Sequence, residues 1–261
     1  MAFFKKYCSL KIGTQLFTYP PFSIEFEQTL NQGTPATTKV RLYNPNSDTI
    51  KAAEGKPKGK TKQYPEIQID AGFEDDHGLV CVGEINDFKV SRPEADTILE
   101  LTVGDITGDY ANLNIGKTFN NMNMGSIMES VIKEAGKVGK VVVGKIKNIK
   151  SYTAGNFKDT LQNLATESGS VVRFKNNEIH VEPEDMNKRS IAYISPVSGL
   201  IGGIEKDSKG YRFKTVFMYN VGGGDVVQIE DNYIEKINVK IVEGKKTFST
   251  FGNSDCEFRA I

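Results

Sequence analysis

The sequence has no tryptophan, only two histidines and only three cysteines. The cysteines, Cys8, Cys81 and Cys256, are far apart and form no CxxC pair, which argues against a disulfide framework and against a zinc cluster. We expect them to be free thiols in a reducing compartment. The chain also lacks an apolar run long enough for a signal peptide or a membrane-spanning helix, so we expect synthesis in the cytoplasm and no membrane span.

An excess of one charge is also absent, because 33 lysines and arginines balance 33 aspartates and glutamates. A protein that coats DNA usually carries a basic excess or a basic stripe. Lysines do cluster at 55–64, where Gly, Pro and Lys dominate and a loop is predicted. Because no aromatic residues are interleaved with these lysines, simple exposure to solvent is favoured over a contact with nucleic acid or lipid.

The acidic cluster at 74–77, Glu-Asp-Asp-His, contains side chains that could bind a metal ion. Consecutive residues of an extended strand cannot all face one ion, and His180, the other histidine, has no fixed relation to the cluster. Asp76, His77 and Gly78 lie where two alternating runs must reverse, so the sequence predicts a hairpin turn there. We therefore expect neither a metal nor a cofactor.

Motifs for nucleotide binding or catalysis are incomplete. The GKT stretch at 116–118 lacks the upstream glycine and the immediate helix of a phosphate-binding loop. No serine lies in a G-x-S-x-G elbow. Glu182 and Glu184 could do acid–base chemistry in a cleft, but such carboxylates are more often solvated, and Gly222–Asp225 is explained by a turn. The residues favour a protein that is not an enzyme.

What the chain has in abundance is glycine, 25 residues, between short segments rich in Val, Ile, Phe and Tyr. Alternation of apolar and polar residues predicts strands at 8–12, 22–28 and 38–43 and a hairpin over 67–85. The same pattern returns after Met186. The predicted fold class is α+β, mainly β, in the order β block, α/β block, β block.

Helical periodicity is confined to the middle of the chain, apart from a short capped helix predicted near 49–54. The stretch 126–136 has one apolar face and ends at a glycine. The second helix starts at Asn156, a predicted N-cap. A valine-rich strand follows each helix, and Asn176 with Asn177 predicts a hairpin turn after the second.

Four segments occur in an order that resembles one known pattern. They are PFSIEFEQTLNQGTPATTKVRLYN, SDTIKAAEG followed by IQIDAGFEDDHGLVCVGEI, TAGNFKDTLQNLATESGSVVRFKNNEIHVEP, and SPVSGLIGGIEKDSKGYRFKTVFMYN with VGGGDVVQIE. The second contains I-x-I-x-A-G-F and G-E-I, at 67–73 and 83–85, and the fourth contains S-x-x-S-G-L-I-G at 195–202. Together they resemble the baseplate or tail-tip hub proteins of tailed bacteriophages, which are themselves similar to the N-terminal part of type VI secretion spike proteins.

This resemblance implies a homotrimer in which two β-barrel-like tube domains per chain form a ring around a channel. It divides the chain into a first hub domain at 1–112, an α/β region of two helix-strand units at 113–186, and a second hub domain at 187–261. The candidates for barrel formation and assembly are apolar or aromatic residues of the predicted strands: Phe22, Ile24, Phe26, Ile67, Ile69, Phe73, Tyr211, Phe213 and Phe217.

The implied function is that of a structural virion protein, a baseplate or tail-tip hub that connects the tail tube to the spike or tip. Its implied partners are a tail tube or distal tail protein, a spike or tip protein, and the tape-measure protein, with DNA passing through without sequence-specific binding. It would be assembled in the host cytoplasm and lie in the virion tail. The alternative is a tail-associated cell-wall hydrolase or carbohydrate-binding module, which the lack of tryptophan weakens.

Overall fold

The computed structural model describes residues 5–58, 61–104, 113–184 and 192–261, and it gives no side-chain description for 56–63. Strands dominate these ranges, and three short helices accompany them. The predicted fold class, α+β and mainly β, is confirmed. The predicted exposure of the lysines at 56–62 lies outside the described side chains.

The first β block ends at residue 104 and contains one short helix. Along β4 the buried residues are Ala36, Thr38, Val40 and Leu42, the two-residue period of a strand with one face in a core. Its elements are β1 (Lys6–Ile12), β2 (Gln15–Tyr19), β3 (Ile24–Asn31), β4 (Thr34–Tyr43), α1 (Ser47–Ala53), β5 (Lys56–Lys58), β6 (Thr61–Gln63), β7 (Glu66–Phe73), β8 (Asp76–Ser91) and β9 (Ile98–Gly104).

The α/β region follows, with two helices whose first turns are capped by asparagine. The side chains of Asn123 and Asn156 accept hydrogen bonds from the backbone N–H groups of Ser126 and Asp159, which confirms the predicted N-cap at Asn156. The region contains β10 (Asn114–Asn123), α2 (Met124–Glu134), β11 (Val138–Val141), β12 (Asn148–Asn156), α3 (Phe157–Glu167), β13 (Ser170–Lys175) and β14 (Glu178–Pro183).

The last block is again made of strands. It contains β15 (Ala192–Ile194), β16 (Leu200–Asp207), β17 (Gly210–Val216), β18 (Val226–Ile229), β19 (Ile237–Ser249) and β20 (Asp255–Ala260). The long strand β19 pairs with β18 through its first half, and with β3 and β20 through its second half. It therefore connects this block to the first one.

Apart from the separate β5–β6 pair, the strands of both β blocks form one 13-stranded sheet. Its strand order is β16-β17-β20-β19-β3-β4-β9-β8-β7-β1-β2, and β18 and β15 branch from it at β19. The antiparallel pairing of β3 with β19 brings Phe26 opposite Phe248. Among the described strands the sheet does not close into a barrel, since the path ends at β2 and at β16. The α/β region has its own sheets, β10-β12 and β11-β14-β13.

Two local predictions need correction. The β7–β8 hairpin turns at Glu74 and Asp75, because Phe73 already pairs with Asp76, and Asp76, His77 and Gly78 lie in β8. A register shift after Ile69 adds a residue to one strand, and simple alternation cannot place such a bulge. The predicted loop at 55–64 contains a short antiparallel pair, β5 with β6.

The described residues form two hydrophobic cores. The larger core contains buried residues from 8–103 and from 194–260, so both β blocks share it. The smaller core lies between residues 119 and 181 and is built around α2 and α3, with Ile127, Val131 and Leu161 fully or almost fully buried. The division at 1–112, 113–186 and 187–261 stays a prediction.

Candidate assembly surfaces

All nine predicted assembly residues belong to the larger core or pack against it. Ile24, Ile67 and Ile69 are fully buried, and Phe26, Phe213 and Phe217 are almost so. Phe22, Phe73 and Tyr211 are partly buried against the same cluster. These side chains therefore hold the sheet together from within and leave its outer contacts to other residues.

The structure brings two of these candidates together with an aromatic residue that the sequence did not single out. Phe26 stacks on Phe248 with ring centroids 5.3 Å apart, and Phe217 meets both rings edge-on at 5.8 and 5.0 Å. Phe248 lies near the end of β19 between the polar residues Thr247 and Ser249, and this local alternation is its sequence signal. The three rings join the first β block to the last.

The two ends of the sheet carry exposed apolar side chains. Leu16 on β2 is 61% exposed and Ile201 on β16 is 42% exposed. An edge strand also presents unpaired backbone N–H and C=O groups, which are ready to pair with another chain. Val197, Tyr233 and Phe251 are exposed elsewhere in the last block. Sequence reasoning missed Leu16 and Ile201 because an isolated apolar residue in a strand gives no sign of which strand is an edge.

The acidic cluster does not gather around one point. His77 lies on β8, its Nδ1 is 2.8 Å from Asp70 Oδ1 on β7, and its ring stacks on Tyr7 with centroids 3.9 Å apart. Glu74 instead pairs with Lys5. Within the described ranges no group of three or more His, Cys, Asp or Glu is arranged to hold a metal ion. The GKT stretch likewise lies inside β10 and not between a strand and a helix.

Ion pairs fasten the α/β region to the main sheet. The Arg173 guanidinium, on β13, donates to the Asp225 carboxylate and to the Gly224 carbonyl. Lys240 Nζ, on β19, donates to Glu184 Oε1 at 2.6 Å. Glu182 lies 3.4 Å from Arg173 Nε. The two glutamates considered for acid–base chemistry are therefore partners of cations at this junction.

A cleft of about 540 Å³ lies along the same junction. One wall is the sheet β11-β14-β13, and the other is formed by the β3–β4 hairpin with residues 219–225. Its charged lining consists of Lys140, Arg173, Lys175, Glu182, Asp225 and Lys246. This cleft combines side chains that are far apart in the sequence, so no local motif could have predicted it.

All three cysteines are buried, and none of them is in a disulfide. Burial raises the pKa of Cys8 to about 12, with a further contribution from the nearby Asp70 carboxylate. Burial also raises the pKa of Cys256 to about 11. Both side chains therefore stay protonated at neutral pH, and a protonated thiol is a poor nucleophile.

No family model matches the sequence, and no curated protein matches it. Among solved structures, a tail protein from Neisseria meningitidis MC58 superposes with a TM-score of 0.69 and 9% identity, over 98% of this chain and 96% of that one. A tail protein of prophage MuSo2 from Shewanella oneidensis gives a TM-score of 0.68 and 12% identity, over 98% of each chain. The chain has the fold of phage tail proteins.

The same fold extends to a secretion system. The Escherichia coli protein c3393, described as a type VI secretion component with structural similarity to the T4 tail proteins gp27 and gp5, gives a TM-score of 0.63 and 12% identity, over 97% of this chain and 76% of that one. The resemblance inferred from the four sequence segments is thus confirmed at the level of the fold. No helix in the described part of this tail-protein fold is long and apolar enough to cross a membrane.

Proposed function

We propose that the chain is a structural protein of a phage-type tail, a baseplate or tail-tip hub that joins the tail tube to the spike or tip. The observation that carries this proposal is the match in fold to two tail proteins over nearly the whole chain. The similar secretion component supports a tube-associated role, since its description relates it to phage tail proteins.

The assembly we propose is a homotrimeric ring. The main sheet ends in two different edge strands, β2 and β16, on one continuous path. A contact between two different surfaces is heterologous, and it closes into a ring when the rotation between subunits allows closure. Ring closure would also cover edges that otherwise favour aggregation. The units at 1–112 and 187–261 would surround the channel, with the region at 113–186 outside.

In this proposal the nine core candidates, from Phe22 to Phe217, keep the sheet rigid while the edges make the contacts between subunits. The channel passes DNA and the tape-measure protein, and the ring binds a tail tube or distal tail protein on one side and a spike or tip protein on the other. The subunits assemble in the host cytoplasm before joining the virion tail. The protein acts by binding and has no enzymatic role.

Immunogold electron microscopy tests the location directly. Antibodies raised against the purified chain are applied to tailed particles released by the bacterium that encodes it. The proposal predicts gold at the end of the tail distal to the capsid. Labelling along the tail shaft or on the capsid would contradict a hub position. Antibodies that bind the soluble protein but label no particle would contradict a role in the virion.

A further inference from the structure

Positive charge is unevenly distributed in this neutral chain. Residues 135–158 contain six lysines and no aspartate or glutamate. Part of this basic stretch is β11, whose Lys140 lines the cleft between the α/β region and the main sheet. On β13, which lies beyond β14 in the same sheet, Arg173 and Lys175 line the same cleft. The topology thus collects cations from separate segments onto one wall.

The charges inside the cleft do not balance. Among the residues that the structure describes, four cationic ones line it together with two carboxylates; the cations are Lys140, Arg173, Lys175 and Lys246. Both carboxylates, those of Glu182 and Asp225, lie against Arg173. The cleft therefore has a net charge of plus two (four minus two) when its histidine is neutral.

Two of these cations have unused capacity to bind an anion. Neither Lys140 nor Lys175 forms an ion pair with any carboxylate in the described ranges, and both are exposed. The Arg173 guanidinium already lies against Glu182 and Asp225. The two exposed lysines are therefore the cations that an entering carboxylate can reach.

The uncharged lining combines apolar residues with polar ones such as Gln28, Asn31 and Thr34. Leu30, Ala36, Val80 and Val221 are buried in the cleft walls, and Val142 is half exposed at its rim. An extended peptide points successive side chains to opposite sides, so it can place apolar groups against one wall and carboxylates against the other. The aromatic residues Phe174 and Tyr219 pack against the two cores and are not free platforms for stacking bases.

We propose that this cleft binds an extended acidic segment of a partner protein, with apolar residues alternating with carboxylates. The carboxylates pair with Lys140 and Lys175, and the apolar side chains lie against the wall that contains Leu30, Ala36 and Val80. Charge complementarity selects the acidic partner, and the aliphatic lining selects a polypeptide over a nucleic acid. This inference does not depend on the hub proposal, because the cleft lies within one chain.

Fluorescence anisotropy tests it with the full chain and a labelled peptide of alternating Glu and Val. We expect saturable binding that weakens as salt rises, since screening reduces the attraction between exposed charges. A labelled peptide of alternating Lys and Val should not bind. If the acidic peptide does not bind, or if labelled oligo-dT binds more tightly and displaces it, the proposal is overturned.

Charge-reversed variants locate the site. The double variant Lys140→Glu/Lys175→Glu should weaken the peptide about tenfold or more, because each contact becomes a repulsion. The control Lys11→Glu/Lys89→Glu changes the net charge equally at exposed positions of β1 and β8 and should bind as the parent does. If both variants weaken peptide binding equally, the peptide is attracted by net charge alone and the proposed site is wrong. Should the first variant fail to fold, Lys140→Gln/Lys175→Gln takes its place.

Discussion

At the scale of single residues, the contact among Phe26, Phe217 and Phe248 joins the two β blocks. The rings come from β3, from the segment after β17, and from β19. Each is at most 3% exposed, and aromatic pairs in edge-on or stacked geometry contribute beyond their buried area. Removal of one ring leaves a cavity that the surrounding strands cannot easily fill.

Truncation of this cluster should be costly. We expect Phe26→Ala to lower the free energy of unfolding by about 3–5 kcal/mol, from lost burial and a residual cavity. The control Val138→Ala removes a side chain that is 66% exposed and should change it by less than about 0.5 kcal/mol. Urea denaturation at neutral pH and at one fixed protein concentration measures both. A cost below about 1 kcal/mol for Phe26→Ala would show that the two blocks are not joined there.

The buried thiols predict an alkaline loss of stability. Below pH 9.0, the ordinary pKa of a cysteine, Cys256 is protonated in both the folded and the unfolded chain. Above pH 9.0 the unfolded chain loses the Cys256 proton, which the folded chain keeps up to about pH 11. The free energy of unfolding therefore falls by about 1.4 kcal/mol for each pH unit in this range.

Cysteine replacement isolates this contribution. Cys256→Ala removes the thiol. Above pH 9.0 the free energy of unfolding should then fall less steeply, by about the amount per pH unit that one titrating proton contributes. Urea denaturation at several alkaline pH values, with reducing agent present, gives the two slopes. The slope at neutral pH serves as the control and should be the same in both proteins. Identical alkaline slopes would contradict a buried, protonated thiol.

At the scale of elements, local signals were sufficient for the helices and for the hairpin that turns at Asn176 and Asn177. The N-cap at Asn156 and the turn at Asn176–Asn177 depend on neighbouring residues only, and the sequence predicted both. The turn of the β7–β8 hairpin was misplaced because a bulge shifts the register. The cap at Asn123 was missed because the apolar period becomes visible only at Ile127.

The cap of α2 can be tested by itself. Asn123→Ala removes the acceptor for the Ser126 backbone N–H, a bond of 2.9 Å, and should destabilise the chain by about 1 kcal/mol. Asn123→Asp keeps an acceptor oxygen at the same position and should retain most of that stability. Thermal unfolding of the three proteins side by side gives the comparison. Equal losses in both variants would mean that the cap is not what stabilises this helix end.

At the scale of the whole molecule, the arrangement that matters most could not be predicted from the sequence. β3 pairs with β19 across more than 200 residues, which makes one sheet of two blocks that looked separate. No local pattern determines such a pairing, since it depends on which strand edges remain free after the hairpins form. The exposed ends of the sheet, and the cleft beside the α/β region, follow from that same long-range pairing.

The exposed edges make a specific prediction about assembly. Leu16→Lys places a charge on the edge strand β2, and charged edge residues oppose strand pairing between chains. We expect this variant to remain folded but monomeric, as measured by light scattering after gel filtration. Val138→Lys introduces the same charge at a site 66% exposed on β11, in the α/β region, and should leave the assembly unchanged. If Val138→Lys is monomeric and Leu16→Lys assembles as the parent does, the contact between subunits lies in the α/β region instead.

The most direct test of the hub proposal is the mass and symmetry of the purified protein. Light scattering over a range of concentrations and ionic strengths should give about 87 kDa, three times the 28.9 kDa of one chain. Electron microscopy of the same fraction should show a threefold ring with an open centre. A mass of 28.9 kDa under all conditions, or a dimer with twofold symmetry and no channel, would contradict it.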